Sequence, residues 1–271
     1  MGNARENLKT ARRIVIKVGT STLAHAESGK LNLHRIEQLV REIADLHNAG
    51  KEIIFVSSGA IATGMNKLGI KIKPQTIPEN QALAAIGQGV LMHIYEKFFA
   101  EYGQTIGQIL LTKENAADEH ARENSRNSLR AILEMDAIPV VNENDAVAID
   151  EIKIGDNDNL SAIVAALVGA EVLIILSDID GLFDGNPKLD KNARLIDEVP
   201  VIDAEIERIA GGAGTKLGTG GMFTKIQAAK LATANGVTML IVNGGVAGNL
   251  RRALSGELIG TIFPRTVTNH G

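Results

Sequence analysis

The sequence predicts an α/β protein, a mostly parallel open sheet sandwiched by helices, and two observations carry that reading. Short apolar runs rich in Ile and Val recur along the chain, with longer stretches between them whose apolar residues have helical spacing. Runs so uniformly apolar suit strands covered on both faces, and their alternation with helices favours parallel strands joined by crossovers.

The first run, 13–18, ends in KVGTS at 17–21. Lys17 lies inside an otherwise apolar strand, where an unpaired ammonium is costly to bury, and Gly19 lets backbone N–H groups come close to an anion. Helical spacing follows over 32–49. The second run, 52–57, opens into SSGAIATG at 57–64, a small-residue turn leading into a helix whose first N–H groups can hold a carboxylate or phosphate. Ser58 suits that role and equally suits an N-cap. Helical spacing over 80–102, a run at 105–111, helical spacing over 115–135 and a run at 137–141 come next.

Two polar clusters then stand either side of a short link, NENDAV at 142–147 and GDNDNLSA at 155–162. Asn, Asp and Gly are ordinary turn formers, but two such clusters at the end of a buried strand lie where open α/β sheets bind ligands. Segment 149–154 reads as a short hairpin arm and 159–168 as a helix. Runs at 171–176 and 237–242 repeat the strand habit, 222–235 is helical, and the charged stretch 186–199 reads as a projecting loop or hairpin. A Gly-rich loop, GTGGMFTK at 218–225, closes on Lys225 before that helix. It has the ingredients of a phosphate cradle, although neither G-x-x-x-x-G-K-[ST] nor G-x-G-x-x-G occurs, which disfavours a Walker NTPase and a Rossmann dinucleotide site.

The 271 residues read as a single domain with a boundary near Gly169, dividing a lobe of about 1–168 from one of about 169–271. Hydrophobic residues make up 45% and charged residues 22%, which excludes a disordered or fibrous chain. Net charge is −4 and no basic stripe is present, so nucleic acid is not the expected partner. The absence of Cys removes disulfides, thiolate nucleophiles and Cys-ligated metals. No apolar run approaches the ~20 residues of a membrane span, and residues 1–13 lack the apolar core of a signal peptide, so a cytoplasmic protein is expected. His25, His34, His47, His93 and His120 have no metal-ligand spacing and read as solvated or packed, with no metal site expected. No activated Ser, Cys or His nucleophile stands out. Phosphoryl transfer to an already ionised carboxylate needs none, because positioning and charge neutralisation suffice.

KVGTS, SSGAIATG, NENDAV, GDNDNLSA, SDIDGL at 177–182 and GTGGMFTK together resemble the amino acid kinase family, in the family's order and over nearly the whole chain. The resemblance implies transfer of the γ-phosphate of ATP to the side-chain carboxylate of L-glutamate, giving L-glutamyl 5-phosphate on the way to proline. It implies that Lys17 and Lys225 neutralise the transferring group from opposite sides and that Asp158 orients them. Ser58, Asp145 and Asn157 match glutamate-binding positions, with Asn142 beside them. Lys17, Gly19, Ser177, Asp178, Thr219, Gly220, Gly221, Met222, Phe223, Thr224 and Lys225 match the nucleotide site. Mg²⁺ is implied as the partner of ATP, as are a homo-oligomer (dimer or tetramer), feedback inhibition by proline and, conceivably, a partnership with glutamyl-phosphate reductase. The chain also resembles a short form lacking the C-terminal module called PUA. Ser177, Phe183, Asn186 and Phe223 depart from the family's usual residues, all in the nucleotide lobe. Two rival readings remain, a sibling kinase acting on acetylglutamate, aspartate, UMP or carbamate, and a non-catalytic sensor of ATP or an amino acid. Asp145 with Asn157 weighs against the first, and the joint presence of Lys17, Asp158 and Lys225 against the second.

Overall fold

A computed structural model describes residues 4–112, 118–148, 157–187, 189–211 and 221–266. They group into two compact units, Met1–Lys17 with Gly155–Gly271, and Val18–Ile154. Numbered in chain order, the elements are α1 (Glu6–Thr10), β1 (Arg13–Val18), α2 (Thr20–Leu23), α3 (Leu33–Asn48), β2 (Glu52–Val56), α4 (Ala60–Leu68), α5 (Ile77–Glu101), β3 (Ile106–Leu111), α6 (Glu119–Glu134) and β4 (Ile138–Glu143). There follow α7 (Asn157–Val168), β5 (Val172–Ser177), α8 (Ala204–Ala210), α9 (Met222–Ala234), β6 (Thr238–Asn243), α10 (Asn249–Leu254) and β7 (Thr261–Phe263). The expected class, a mostly parallel sheet with helices packed on it, is the one observed.

In the unit containing both termini the strand order is β1-β5-β6-β7. β5 and β6 run parallel, from Val172 opposite Thr238 to Ser177 opposite Asn243, and β7 closes the edge antiparallel to β6. β5 is buried along its whole length, which explains why its residues show no alternation of apolar and polar types. Arg5 is 4% exposed and ties this unit together: its guanidinium donates to the carbonyls of Asp197, Glu257, Ile259 and Gly260 at 2.9 to 3.2 Å. A buried guanidinium is tolerable here because acceptors meet its donors.

In the other unit the order is β3-β4-β2, with both pairings parallel. α3 buries Ile36, Leu39, Val40, Ile43 and Ala44, the stripe expected of an amphipathic helix, and its N-cap Asn32 accepts from the Arg35 amide. α4 and α5 meet backbone to backbone. A Cβ on Gly87 would stand 1.8 Å from the Ala60 carbonyl oxygen, and one on Gly64 would stand 2.0 Å from that of Leu83. Only hydrogen fits at either place.

Several expectations need adjusting. The division differs from the boundary near Gly169. Residues 1–17 and α7 belong with the C-terminal elements because α7 packs on α9, and because the Arg12 and Arg13 amides donate to the Glu171 carboxylate while the Arg13 guanidinium donates to the Val168 carbonyl. β4 continues two residues past the apolar run to take in Asn142 and Glu143, both buried. β7, α8 and α10 were not anticipated. Around the stretch 186–199, Phe183 bridges Leu195 antiparallel, flanked by hydrogen bonds between Asp184 and Arg194 and between Leu182 and Ile196, so its base is hairpin-like. The hairpin arm expected at 149–154 lies outside the described residues. Among those described, no helix is long and apolar enough to cross a membrane.

Candidate active site

The unit containing both termini draws three expected residues to one point. Lys17 is the fifth residue of β1, Asp158 the second of α7 and Lys225 the fourth of α9. Lys17 Nζ lies 2.5 Å from Asp158 Oδ1, and Lys225 Nζ lies 3.0 Å from Oδ2. Each carboxylate oxygen thus carries one ammonium. Asp158 is 0% exposed and each lysine 5%, so the three charges are almost wholly removed from water.

Burial alone would push the Asp158 carboxyl up. The charges of Lys17 and Lys225, with the hydrogen bonds they donate, more than reverse this and hold it below the usual carboxylate range. Its place in the first turn of α7 adds the favourable end of the helix dipole. The Ser161 hydroxyl donates to the Asp158 carbonyl at 2.6 Å, fastening the same turn from inside. Two ammoniums share this one carboxylate in a low-dielectric place, an arrangement that suits a bound anion such as a phosphoryl group.

α9 begins beside this cluster. Gly221 is its N-cap, without a side-chain cap and with no acidic residue in the first turn, which suits an anion at the helix start. Met222 is half-buried and Phe223 is 46% exposed. Thr224, expected from sequence only as a nucleotide-loop residue, places Oγ1 3.1 Å from Asp158 Oδ2. Thr219 and Gly220 lie outside the described residues. At the C-terminal end of β5, Ser177 is buried and donates to the exposed Asp178 carboxylate at 3.2 Å.

Sequence reasoning missed Asn243, which pairs in register with Ser177 at the end of β6. Its amide donates to Asp180 at 2.8 Å and accepts from the Gly245 amide at 2.7 Å, so it shapes the two loops leaving β5 and β6. The signal was the polar Asn and paired Gly that end the apolar run 237–242.

The remaining expected residues divide between the units. Asn157, half-buried, opens α7 directly before Asp158. Gly19, Ser58, Asn142 and Asp145 belong to the other unit. Gly19 is the N-cap of α2. Ser58 is buried and precedes Gly59, whose φ of 93° starts α4 from a left-handed conformation. Asn142 donates from Nδ2 to Gln88 Oε1 at 2.8 Å and accepts the Glu143 amide at 2.9 Å. Asp145 lies in the turn after β4, where the Asn144 carbonyl accepts from the Val147 and Ala148 amides.

Residues 12–243 match the amino acid kinase family. The chain is 56% identical over 262 residues to a glutamate 5-kinase of Clostridium acetobutylicum, covering 96% of this chain and 98% of that protein. It is 54% identical over 264 residues to a glutamate 5-kinase of Moorella thermoacetica, covering 97% of this chain and 70% of that one. Among solved structures it resembles carbamate kinase from Giardia lamblia bound to AMP-PNP, with a TM-score of 0.67 at 16% identity over 95% of this chain and 100% of that one. UMP kinase from Ureaplasma parvum is similar at a TM-score of 0.64 and 14% identity, over 94% and 99% of the two chains. At such identities the structural likeness speaks for the fold alone.

Proposed function

The chain belongs to the amino acid kinase family, and we propose that it transfers the γ-phosphate of ATP to the side-chain carboxylate of L-glutamate, giving L-glutamyl 5-phosphate and ADP, as the first step of proline biosynthesis. The observation in the structure that carries this reading is the buried pair of ammoniums on one carboxylate, Lys17 and Lys225 on Asp158.

A glutamate carboxylate oxygen attacks the γ-phosphorus in line, a new P–O bond forms, and the bond to the β,γ-bridging oxygen breaks. The acceptor is already ionised at neutral pH, so no side chain has to remove a proton. What the protein supplies is position and compensating charge. Lys17 and Lys225 neutralise the oxygens of the transferring group, the term that dominates where charge spreads in a transition state. Asp158 keeps both ammoniums in place and supplies the buried counter-charge that they need before the nucleotide arrives.

We assign glutamate to Ser58, Asp145, Asn157 and Asn142. Asp145 suits the α-ammonium, while Ser58 with the start of α4 suits a carboxylate. The nucleotide goes to Gly19, Ser177, Asp178 and the stretch from Thr219 to Lys225. Mg²⁺ would come with ATP. Asp158 has each oxygen engaged by a lysine, which fits an ion held largely by phosphate oxygens and water. A cytoplasmic location belongs to the same proposal, as do a homo-oligomer, inhibition by proline and a partnership with glutamyl-phosphate reductase, the last three resting on family resemblance.

The test is hydroxamate formation by the purified protein with ATP, Mg²⁺ and hydroxylamine, which traps an acyl phosphate as it forms. L-glutamate, N-acetylglutamate and L-aspartate are supplied in parallel. Product with L-glutamate alone supports the assignment. Product with another acid moves the substrate to a sibling kinase, and no product from protein that binds ATP leaves a sensor.

A further inference from the structure

Helix α5 carries three polar side chains at successive seven-residue steps, Gln81, Gln88 and Tyr95. Seven residues bring an α-helix back to nearly the same face, with a drift of about 20° per step, so the three form one stripe along it. Each reaches a different point in or beside the segments assigned to glutamate. Gln81 Nε2 donates to the Ala148 carbonyl at 3.2 Å, Gln88 Oε1 accepts from Asn142 Nδ2 at 2.8 Å, and the Tyr95 hydroxyl lies 2.7 Å from Ser57 Oγ.

The places held are informative. Asn142 and Ala148 bracket the turn that contains Asp145, and the Asn144 amide ties the start of that turn to the Leu111 carbonyl at 2.8 Å. Ser57 is the residue before Ser58. The helix is itself immobilised, because Gly64 and Gly87 bring its backbone against that of α4 with no room for a Cβ. Phe55 packs edge-on to the Tyr95 ring, and burial pushes the phenol's pKa up despite the opposing hydrogen bond with Ser57, so the hydroxyl stays protonated. Leu83, Leu91 and Phe99 on the same helix do its apolar packing. Gln81 and Gln88 are therefore not needed for the core, and the two half-buried residues bond instead to the Ala148 carbonyl and the Asn142 side chain.

We propose that Gln88, flanked by Gln81 and Tyr95, is a positioning residue for the glutamate site. It fixes the Asn142 side chain and, with Gln81, sets the placement of the turn that presents Asp145. The proposal rests on the assignment of glutamate to these loops. Displacing a substrate-holding group by a fraction of an ångström weakens binding without touching the phosphoryl-transfer charges, so the effect falls on one substrate only.

The test measures hydroxamate formation with the full chain and determines KM for L-glutamate and for ATP, alongside thermal melting. Gln88→Leu, which keeps the bulk and removes the acceptor, is expected to raise the KM for glutamate about tenfold while KM for ATP and kcat stay within about threefold. Gln88→Glu, which keeps an acceptor oxygen, should restore most of the affinity, which a purely structural role would not require. Tyr95→Phe should raise the KM for glutamate about threefold. A folded Gln88→Leu protein with unchanged KM for glutamate, or with equal rises for both substrates, overturns the proposal. Should Gln88→Leu not fold, Gln88→Ala takes its place, and an unchanged KM for glutamate in both Gln88→Ala and Tyr95→Phe overturns the proposal instead. Wild-type protein that turns over ATP with another acid and not with glutamate removes the substrate assignment, and the proposal falls with it.

Discussion

Thr224 Oγ1 and Asp158 Oδ2 lie 3.1 Å apart, on the same carboxylate oxygen that takes Lys225 Nζ at 3.0 Å. The hydroxyl also lies 2.7 Å from the Gly221 carbonyl, so its single proton serves one acceptor at a time. Thr224→Val keeps the shape and removes this shared donor. Because the two ammoniums still hold Asp158, kcat should fall only about three- to tenfold, the worth of one hydrogen bond, and Thr224→Ser should stay close to wild type. A hundredfold loss in Thr224→Val would mean that this hydroxyl meets the phosphoryl group directly.

Lys17→Ala and Lys225→Ala should each lower kcat by about 100- to 1000-fold, as removal of one donor aimed at developing charge does elsewhere. KM for glutamate should change by less than about threefold, since the loss is confined to the transition state. Steady-state hydroxamate assays separate the two constants. Near-normal turnover in either variant would take that lysine out of the reaction.

The parts of this arrangement that depend on neighbours in sequence were legible there, and those that depend on distant contacts were not. The apolar run 13–18 is β1 residue for residue, because a strand buried on both faces declares itself by composition. The end of β4 was read too early: Asn142 and Glu143 look like loop residues, yet both are buried strand residues. β7 has three residues, between Gly260 and Pro264, too few for a periodic signal. Lys17 was marked as an ammonium that needed a partner, but Asp158 is 141 residues away, and no spacing rule joins them. The family resemblance named that pair, whereas Gln88, 54 residues before Asn142, carries no motif and meets Asn142 only in the folded chain.

Acid should weaken the fold through Asp158. Its carboxyl is held below the usual value of 3.8 by the two lysines, so the folded state binds its proton less readily than the unfolded chain does. The stability this supplies is present in full above the unfolded value and is lost as pH falls through the lower folded one. Asp158→Asn should therefore be less stable than wild type at neutral pH, because it removes the carboxylate charge that both buried ammoniums share. The gap in melting temperature should narrow as the pH falls from the ordinary carboxylate value through the lower folded one. A gap that is constant across that range would show that the carboxylate charge contributes nothing to stability.

Two glycines of α5, two residues apart, should respond to alanine with opposite signs. A Cβ on Gly87 would lie 1.8 Å from the Ala60 carbonyl oxygen and 2.5 Å from the Gly64 amide nitrogen, both backbone atoms that cannot turn aside, whereas one on Gly89 meets nothing within 4 Å. Gly89 is exposed in the helix interior, so Gly89→Ala should stabilise by about 0.5–1 kcal/mol through helix propensity and the lost freedom of the unfolded chain. Gly87→Ala should destabilise by at least the ~1–3 kcal/mol of an overpacked core, because α4 and α5 must separate to admit the methyl group. Separation would also carry Gln88 away from Asn142, so KM for glutamate should rise in Gly87→Ala and hold in Gly89→Ala. Denaturant melts and substrate titrations on the two variants read both effects. Equal stabilities would mean that the helices slide apart at no cost.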